Sequence, residues 1–276
     1  PVFGYKGMVL ATFAIALLGS VVWGHHMFVS GMSPYAGSVF SIMTMAVAVP
    51  SSLKVFSWIA TLWRGRLNFP TPMLFSIGFL SLFIAGGLSG PLLAQPVLDQ
   101  YVHDTYFVVA HFHLIMAMAS IFSIFAATYY WAPILLHGRM LSERLGRWQF
   151  WLTFFGAYAV FLPMHLLGLA GHPRRYSQLA GSAAYVSQLL PLQRFITYAA
   201  ILLAAAQLLF LWNLLQTVVR GERIGEANPW RATTLEWLPA SEWSKELMVQ
   251  RGPCEYGGAT EDGTDYLMQH EANAGA

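Results

Sequence analysis

Carboxylates are missing from the first third of this chain, where no Asp or Glu precedes Asp99. Charge of either sign is scarce throughout, at 10% of 276 residues, against about 25% in a soluble domain. That scarcity excludes a chain solvated on every side. Cysteine is nearly absent too. Cys254 is the only one, which excludes an internal disulfide, a thiolate metal cluster and a Cys-x-x-Cys-His attachment site. Any heme in this chain must be held by histidine. A net charge of +2 is too small to point to nucleic acid. There is no internal repeat or low-complexity tract, and no cleavable signal peptide is expected.

What the chain has instead is apolar length. Apolar residues make up 56% of it, in runs of 20 or more that are long enough to cross a bilayer. Six spans are expected, at about 8–29, 35–62, 71–93, 105–135, 147–170 and 194–218. The fold class is therefore all-α, a polytopic transmembrane helix bundle over 1–218, followed by a polar extramembranous tail over 219–276. Basic residues alternate by side. Lys6 precedes the first span, Arg64 and Arg66 follow the second, Arg139, Arg144 and Arg147 follow the fourth, and Arg220 and Arg223 follow the sixth. The positive-inside rule then puts both termini on the inner side. Arg174, Arg175 and Arg194 break the pattern. The arginine pair is either simply exposed or held by something anionic, which guanidinium matches well.

This topology sorts the histidines. His25, His26, His103, His111, His113, His165 and His172 fall near the outer side, and only His137 and His270 do not. Histidine at membrane depth is costly and marks function, so the layer reads as a metal or heme layer. On an α-helix two residues advance about 200°, so His111 and His113 leave opposite faces. They read as axial ligands of two hemes, one on each side of the helix, against the plainer reading of a hydrogen-bonded pair. His25 and His26 are adjacent near a helix end, where both rings can converge on one ion, and imidazole suits copper. Two interfacial histidines facing water are the alternative. His103 and Asp104 at the outer face suit a hard cation or a heme propionate, and an ordinary loop explains them equally.

Lys54 sits about two turns inside the inner end of the second span, with Ser51 and Thr44 on the same stripe. A desolvated lysine releases its proton readily, which suits a proton relay. A lysine snorkelling to the inner interface is the rival. Pro50 cannot donate a backbone hydrogen bond and is expected to kink this span.

These residues resemble subunit I of the heme–copper oxidases, specifically cytochrome c oxidase. The matching pieces run in order: Phe3-Gly4-Tyr5, His25-His26-Met27-Phe28, Pro50 to Trp58, His103 to His113, Pro173-Arg174-Arg175-Tyr176, Asn228-Pro229-Trp230 and Arg251-Gly252-Pro253. The resemblance implies that His25 and His26 are two of three copper ligands. It makes His111 the ligand of a high-spin heme and His113 that of a low-spin heme, with heme A in both places. Residues matching His103 and Asp104 lie near a magnesium site at a subunit interface and the heme propionates. Arg174 and Arg175 match a pair that contacts propionates. Lys54, Ser51 and Thr44 match a proton-input path. His172 stands where many relatives have Met.

The family has twelve spans, and this chain resembles the last six. The third copper ligand, its linked tyrosine and the second low-spin ligand belong to the other half. The expected function is the C-terminal half of a terminal respiratory oxidase that reduces dioxygen to water with proton uptake and pumping. Expected partners are the N-terminal half of subunit I, a copper-bearing subunit II, subunit III, cytochrome c and lipid, in a bacterial cell membrane or else the mitochondrial inner membrane. A quinol oxidase and a non-redox proton or solute carrier are the rival functions. Asp104 favours the cytochrome c branch, because quinol oxidases can carry Asn there.

Overall fold

A computed structural model of the chain describes residues 2–65, 67–176, 184–226, 228–238 and 249. Six of its helices are long and apolar enough to cross a membrane: Tyr5–Met27, Pro34–Leu62, Thr71–Leu93, Tyr106–Leu135, Glu143–Leu169 and Leu190–Arg220. Short helices Pro96–Val102 and Ala184–Gln188 lie outside them. Among the described residues extended pairing is limited to two isolated bridges, Thr105 with Pro173 and Arg139 with Arg223. The six-span all-helical expectation therefore holds. Spans five and six start earlier than the apolar pattern suggests. Ser142 caps the fifth by accepting from the Leu145 amide, and Pro191 pre-sets the first turn of the sixth. Both starts carry arginines, which can reach the interface.

Spans three to six share one core. Phe75 lies at its centre, stacked on Tyr129 and edge-on to Phe122 and Phe150. The fifth span packs along the sixth and against the outer half of the fourth, and the third packs along the rest of the fourth. Spans one and two pair mainly with each other, leaving Leu10, Phe13 and Leu17 open on the first. A bilayer interior offers polar groups no water, so they must find partners inside the protein. Asn213 supplies such partners at the inner end. Its Oδ1 accepts from the Ser142 amide at 2.8 Å, and its Nδ2 donates to the Ser142 carbonyl at 3.0 Å. The Tyr129 hydroxyl then donates to Gln149 Oε1 at 2.7 Å. The described part of the tail packs back on the fourth span. Trp230 and Trp237 donate their indole N–H groups to the Tyr130 carbonyl and hydroxyl at 2.8 and 3.1 Å. Arg66, Cys254, His270 and the Arg251-Gly252-Pro253 piece lie outside the described residues.

Two spans are irregular where function was expected. The second breaks at Val47, between Pro34–Ala46 and Ala48–Leu62. Pro50 lacks the amide that would bond Ala46, and the Ser51 hydroxyl donates to the Val47 carbonyl at 2.8 Å. The fourth is α-helical over Tyr106–Phe112, π-helical over His113–Met118 and α-helical again over Ala119–Leu135. The third span presses on that π-turn through Gly86. A Cβ at Gly86 would stand 2.7 Å from the Ile115 amide nitrogen and 2.8 Å from Leu114 Cβ. At neighbouring Gly87 the nearest atom would be 3.9 Å away. Gly86→Val should therefore cost about 1–3 kcal/mol through overpacking. The expected result is a lowered thermal midpoint of the purified complex, with a smaller drop for Gly87→Val.

Candidate functional site

The first span ends in a 3-10 turn, Trp23–Met27, seated on Phe40 at Gly24, where a Cβ would come within 2.6 Å of the ring. The tighter winding turns both imidazoles to one side. His25 Nε2 and His26 Nε2 are 3.0 Å apart, and His25 Nδ1 lies 3.2 Å from Thr44 Oγ1. Imidazole–metal bonds of about 2.0–2.1 Å, at angles between square and tetrahedral, separate two nitrogens by about 2.8–3.4 Å. The spacing of this pair fits two ligands of one ion. Among the described residues no group of three or more His, Cys, Asp or Glu is gathered to hold a metal.

His111 and His113 face different neighbours. His111 Nδ1 lies 2.9 Å from the Gly86 carbonyl and 2.8 Å from Ser89 Oγ, both on the third span. His113 Nδ1 lies 2.8 Å from the Val109 carbonyl, and its ring stacks on Phe161 of the fifth span at 4.9 Å. A carbonyl only accepts, so Nδ1 carries the proton in both rings and Nε2 keeps its lone pair. That is the tautomer a metal-ligating histidine needs, with its orientation set by the second nitrogen. The donor set therefore fits ligands to two separate groups, one on each side of the helix.

The outer face joins several of the expected residues. Asp104 adopts a left-handed backbone, φ 53°, and its Oδ1 accepts from Arg174 at 2.6 and 2.8 Å. The Arg174 amide also donates to the Asp104 carbonyl at 2.9 Å. Arg175 is farther, at 3.9 Å, and exposed. Burial acts against ionisation of Asp104, but the Arg174 guanidinium, helped by His103 and Arg175, holds its carboxyl below the usual carboxylate range. His103 Nδ1 lies 2.7 Å from Asp99 Oδ2. Asp99 is the residue the sequence did not single out. It is buried, and burial pushes its carboxyl above the usual range against the opposing bond to His103. The available signal was Asp-x-x-x-His on one short helix, a spacing that stacks the two side chains.

His172 is fully buried, its Nδ1 2.9 Å from the Pro173 carbonyl and its Nε2 against Gln193. His165 Nδ1 lies 3.1 Å from the Phe161 carbonyl. The Lys54 stripe is less connected. Lys54 Nζ lies 5.3 Å from the centre of the Trp58 ring, toward the inner end. Ser51 bonds its own helix and Thr44 meets His25. Among the described residues no hydrogen bond links Lys54, Ser51 and Thr44 to one another.

The family described as "Cytochrome C and Quinol oxidase polypeptide I" matches residues 1–206. The chain is 46% identical over 270 residues to the alternative cytochrome c oxidase subunit 1 of Bradyrhizobium diazoefficiens, which covers 95% of this chain and 45% of that protein. It is 43% identical over 262 residues to cytochrome c oxidase subunit 1 of Thermostichus vulcanus, covering 93% of this chain and 46% of the relative. The fold is similar to that of a heme–copper terminal oxidase dimer solved by cryo-EM, with a TM-score of 0.71 and 20% identity over 81% of this chain and 43% of that one. The chain thus spans a little under half the length of these relatives.

The two faces of the fourth span can be tested separately. If the two histidines hold two separate hemes, His111→Ala and His113→Ala should each remove a different heme signal from the assembled complex in reduced-minus-oxidised spectra. Loss of one and the same signal from both variants would contradict the two-face geometry.

Proposed function

We propose, because the chain belongs to the cytochrome c and quinol oxidase polypeptide I family, that it forms the C-terminal half of an oxidase core that reduces dioxygen to water. The observation that carries this reading is the placement of His111 and His113. Two residues apart, they face opposite neighbours, each with Nδ1 anchored on a carbonyl. When bound, two hemes and a copper ion would supply the redox chemistry. The chain's own residues hold and orient. His111 and His113 offer one Nε2 each, and His25 and His26 offer two to a shared ion. Asp104 fixes Arg174 at the outer face, where Arg175 is left free to meet propionate charge. Asp99 orients His103, which with Asp104 suits magnesium.

Six apolar helices make this an integral membrane protein, and the bacterial relatives support a bacterial cell membrane. The reading requires an N-terminal half carrying the remaining copper and low-spin ligands, together with a copper-bearing subunit II, subunit III and cytochrome c as donor. Protons would enter from the inner side past Lys54, with Ser51 and Thr44 farther along the stripe, and pumping would be coupled to that uptake.

The function is tested on the complex purified through this chain. Oxygen uptake with reduced cytochrome c, inhibited by cyanide, is the expected result. Uptake with quinol alone would assign the quinol branch, and no uptake with no heme absorbance would leave a non-redox carrier. Lys54→Met should keep the heme spectrum and lower turnover at least tenfold. Near-normal turnover in that variant would instead make Lys54 an interfacial anchor packed on Trp58.

A further inference from the structure

We propose that the inner end of the fifth span is a headgroup site for an anionic phospholipid of the inner leaflet. Arg144 and Arg147 take the phosphate, and Trp148 and Trp151 flank the glycerol backbone. The inference rests on the membrane orientation set by the loop charges, not on the oxidase reading. A cavity of ≈ 420 Å³ opens here, lined by Glu143, Arg144, Arg147, Trp148 and Trp151.

The charge at this cavity is unbalanced. Arg144 lies in the first turn of Glu143–Leu169, at the positive end of the helix dipole, where a cation is disfavoured and an anion is drawn in. The one carboxylate at hand is already engaged. Glu143 Oε2 accepts from the amide and the hydroxyl of Thr71, both at 2.9 Å. Arg147 Nε approaches Glu143 only to 3.7 Å, as a half-exposed pair, which contributes little. Arg144 makes no ion pair among the described residues.

The apolar side of the cavity continues in one direction. Arg144, Trp148, Trp151 and Phe155 recur at helical spacing, so they form one stripe. Trp148 and Phe155 are 60% and 62% exposed, and the Trp151 and Phe155 rings stack at 5.5 Å with an 18° tilt, making a flat wall. At 1.5 Å per residue Phe155 lies about 16 Å from Arg144 along the axis. One leaflet contributes about 15 Å of hydrocarbon. Cations at headgroup depth, tryptophans at the interface and an aromatic wall below match the three zones of a single lipid. A zwitterionic headgroup would bring its own cation beside two arginines, so the site favours a phosphatidylglycerol-type headgroup.

The test uses the assembled complex in nanodiscs with a phosphatidylglycerol that carries a photoactivatable diazirine near the glycerol. Crosslinks should map to residues 144–155. Unlabelled phosphatidylglycerol should compete at least fivefold better than phosphatidylcholine. Arg144→Gln/Arg147→Gln should cut the crosslink yield at least fivefold with the heme spectrum unchanged, and Arg144→Lys/Arg147→Lys should keep most of it. Equal competition by the two lipids overturns the site, as does an undiminished yield in the glutamine variant. Loss of a protein subunit from that variant in native mass spectrometry would also overturn it, by identifying a protein occupant. If the glutamine variant does not assemble, the competition on the unaltered complex decides alone.

Discussion

An imidazole Nδ1–H donating to a backbone carbonyl recurs across the outer half of this bundle, and the site depends on it. His111 uses Gly86, His113 uses Val109, His165 uses Phe161 and His172 uses Pro173. Each bond fixes the tautomer and leaves Nε2 pointing elsewhere. Where Nε2 points decides what the residue can do. His172 meets Gln193, a neutral amide, and is closed off as a tie between the outer loop and the sixth span. His165 packs its ring edge-on to Phe107. His111 faces the third span and His113 the fifth, which is the separation that the proposed two-heme reading needs. One local interaction thus orients all four rings, and the neighbour that each Nε2 meets separates their uses.

The helix that carries His111 and His113 is shaped by its neighbours. The third span approaches closely because Gly86 has no side chain, and the same residue's carbonyl holds His111. The close approach and the anchoring bond therefore come from one residue. The π-turn begins at His113, so the residue that would serve the second heme is also the first with altered winding. π-turns are rare and often lie at functional sites. Here the turn is held by packing on both sides, Ile115 against Gly86 and His113 against Phe161.

Much of this was legible in the sequence because membrane physics leaves few choices. Runs of apolar residues give the six spans, and two histidines two residues apart on a helix must diverge. The adjacent pair His25 and His26 was legible as a convergence at a helix end, though the 3-10 winding that turns the rings together was not. The π-turn had no local signature, since it arises from contact with the third span. Asp99 was overlooked because a carboxylate four residues before a histidine is common, and only burial makes the pair unusual. The early start of the fifth span was hidden by its polar first turn, which hydropathy reads as loop and Ser142 caps as helix.

The outer arginines show how tertiary structure changes a charge argument. Two cations on the wrong side of a membrane call for an anion, and propionates were the expected one. The fold supplies an anion of its own. Asp104 takes Arg174 through the guanidinium and the backbone together, at a left-handed position that only a local partner makes worthwhile. Asp104 therefore offsets one of the two positive charges and leaves a net of about one, most of it on exposed Arg175. A further anion at this face would meet Arg175 as its free donor and Arg174 as a pre-oriented one. Preorganisation of Arg174 lowers the ordering cost when such an anion arrives, while its shared charge weakens the purely Coulombic attraction. The two arginines are adjacent in sequence but are not equivalent: Arg174 is fixed by Asp104 at close range, and Arg175 stays exposed at 3.9 Å from the same carboxylate.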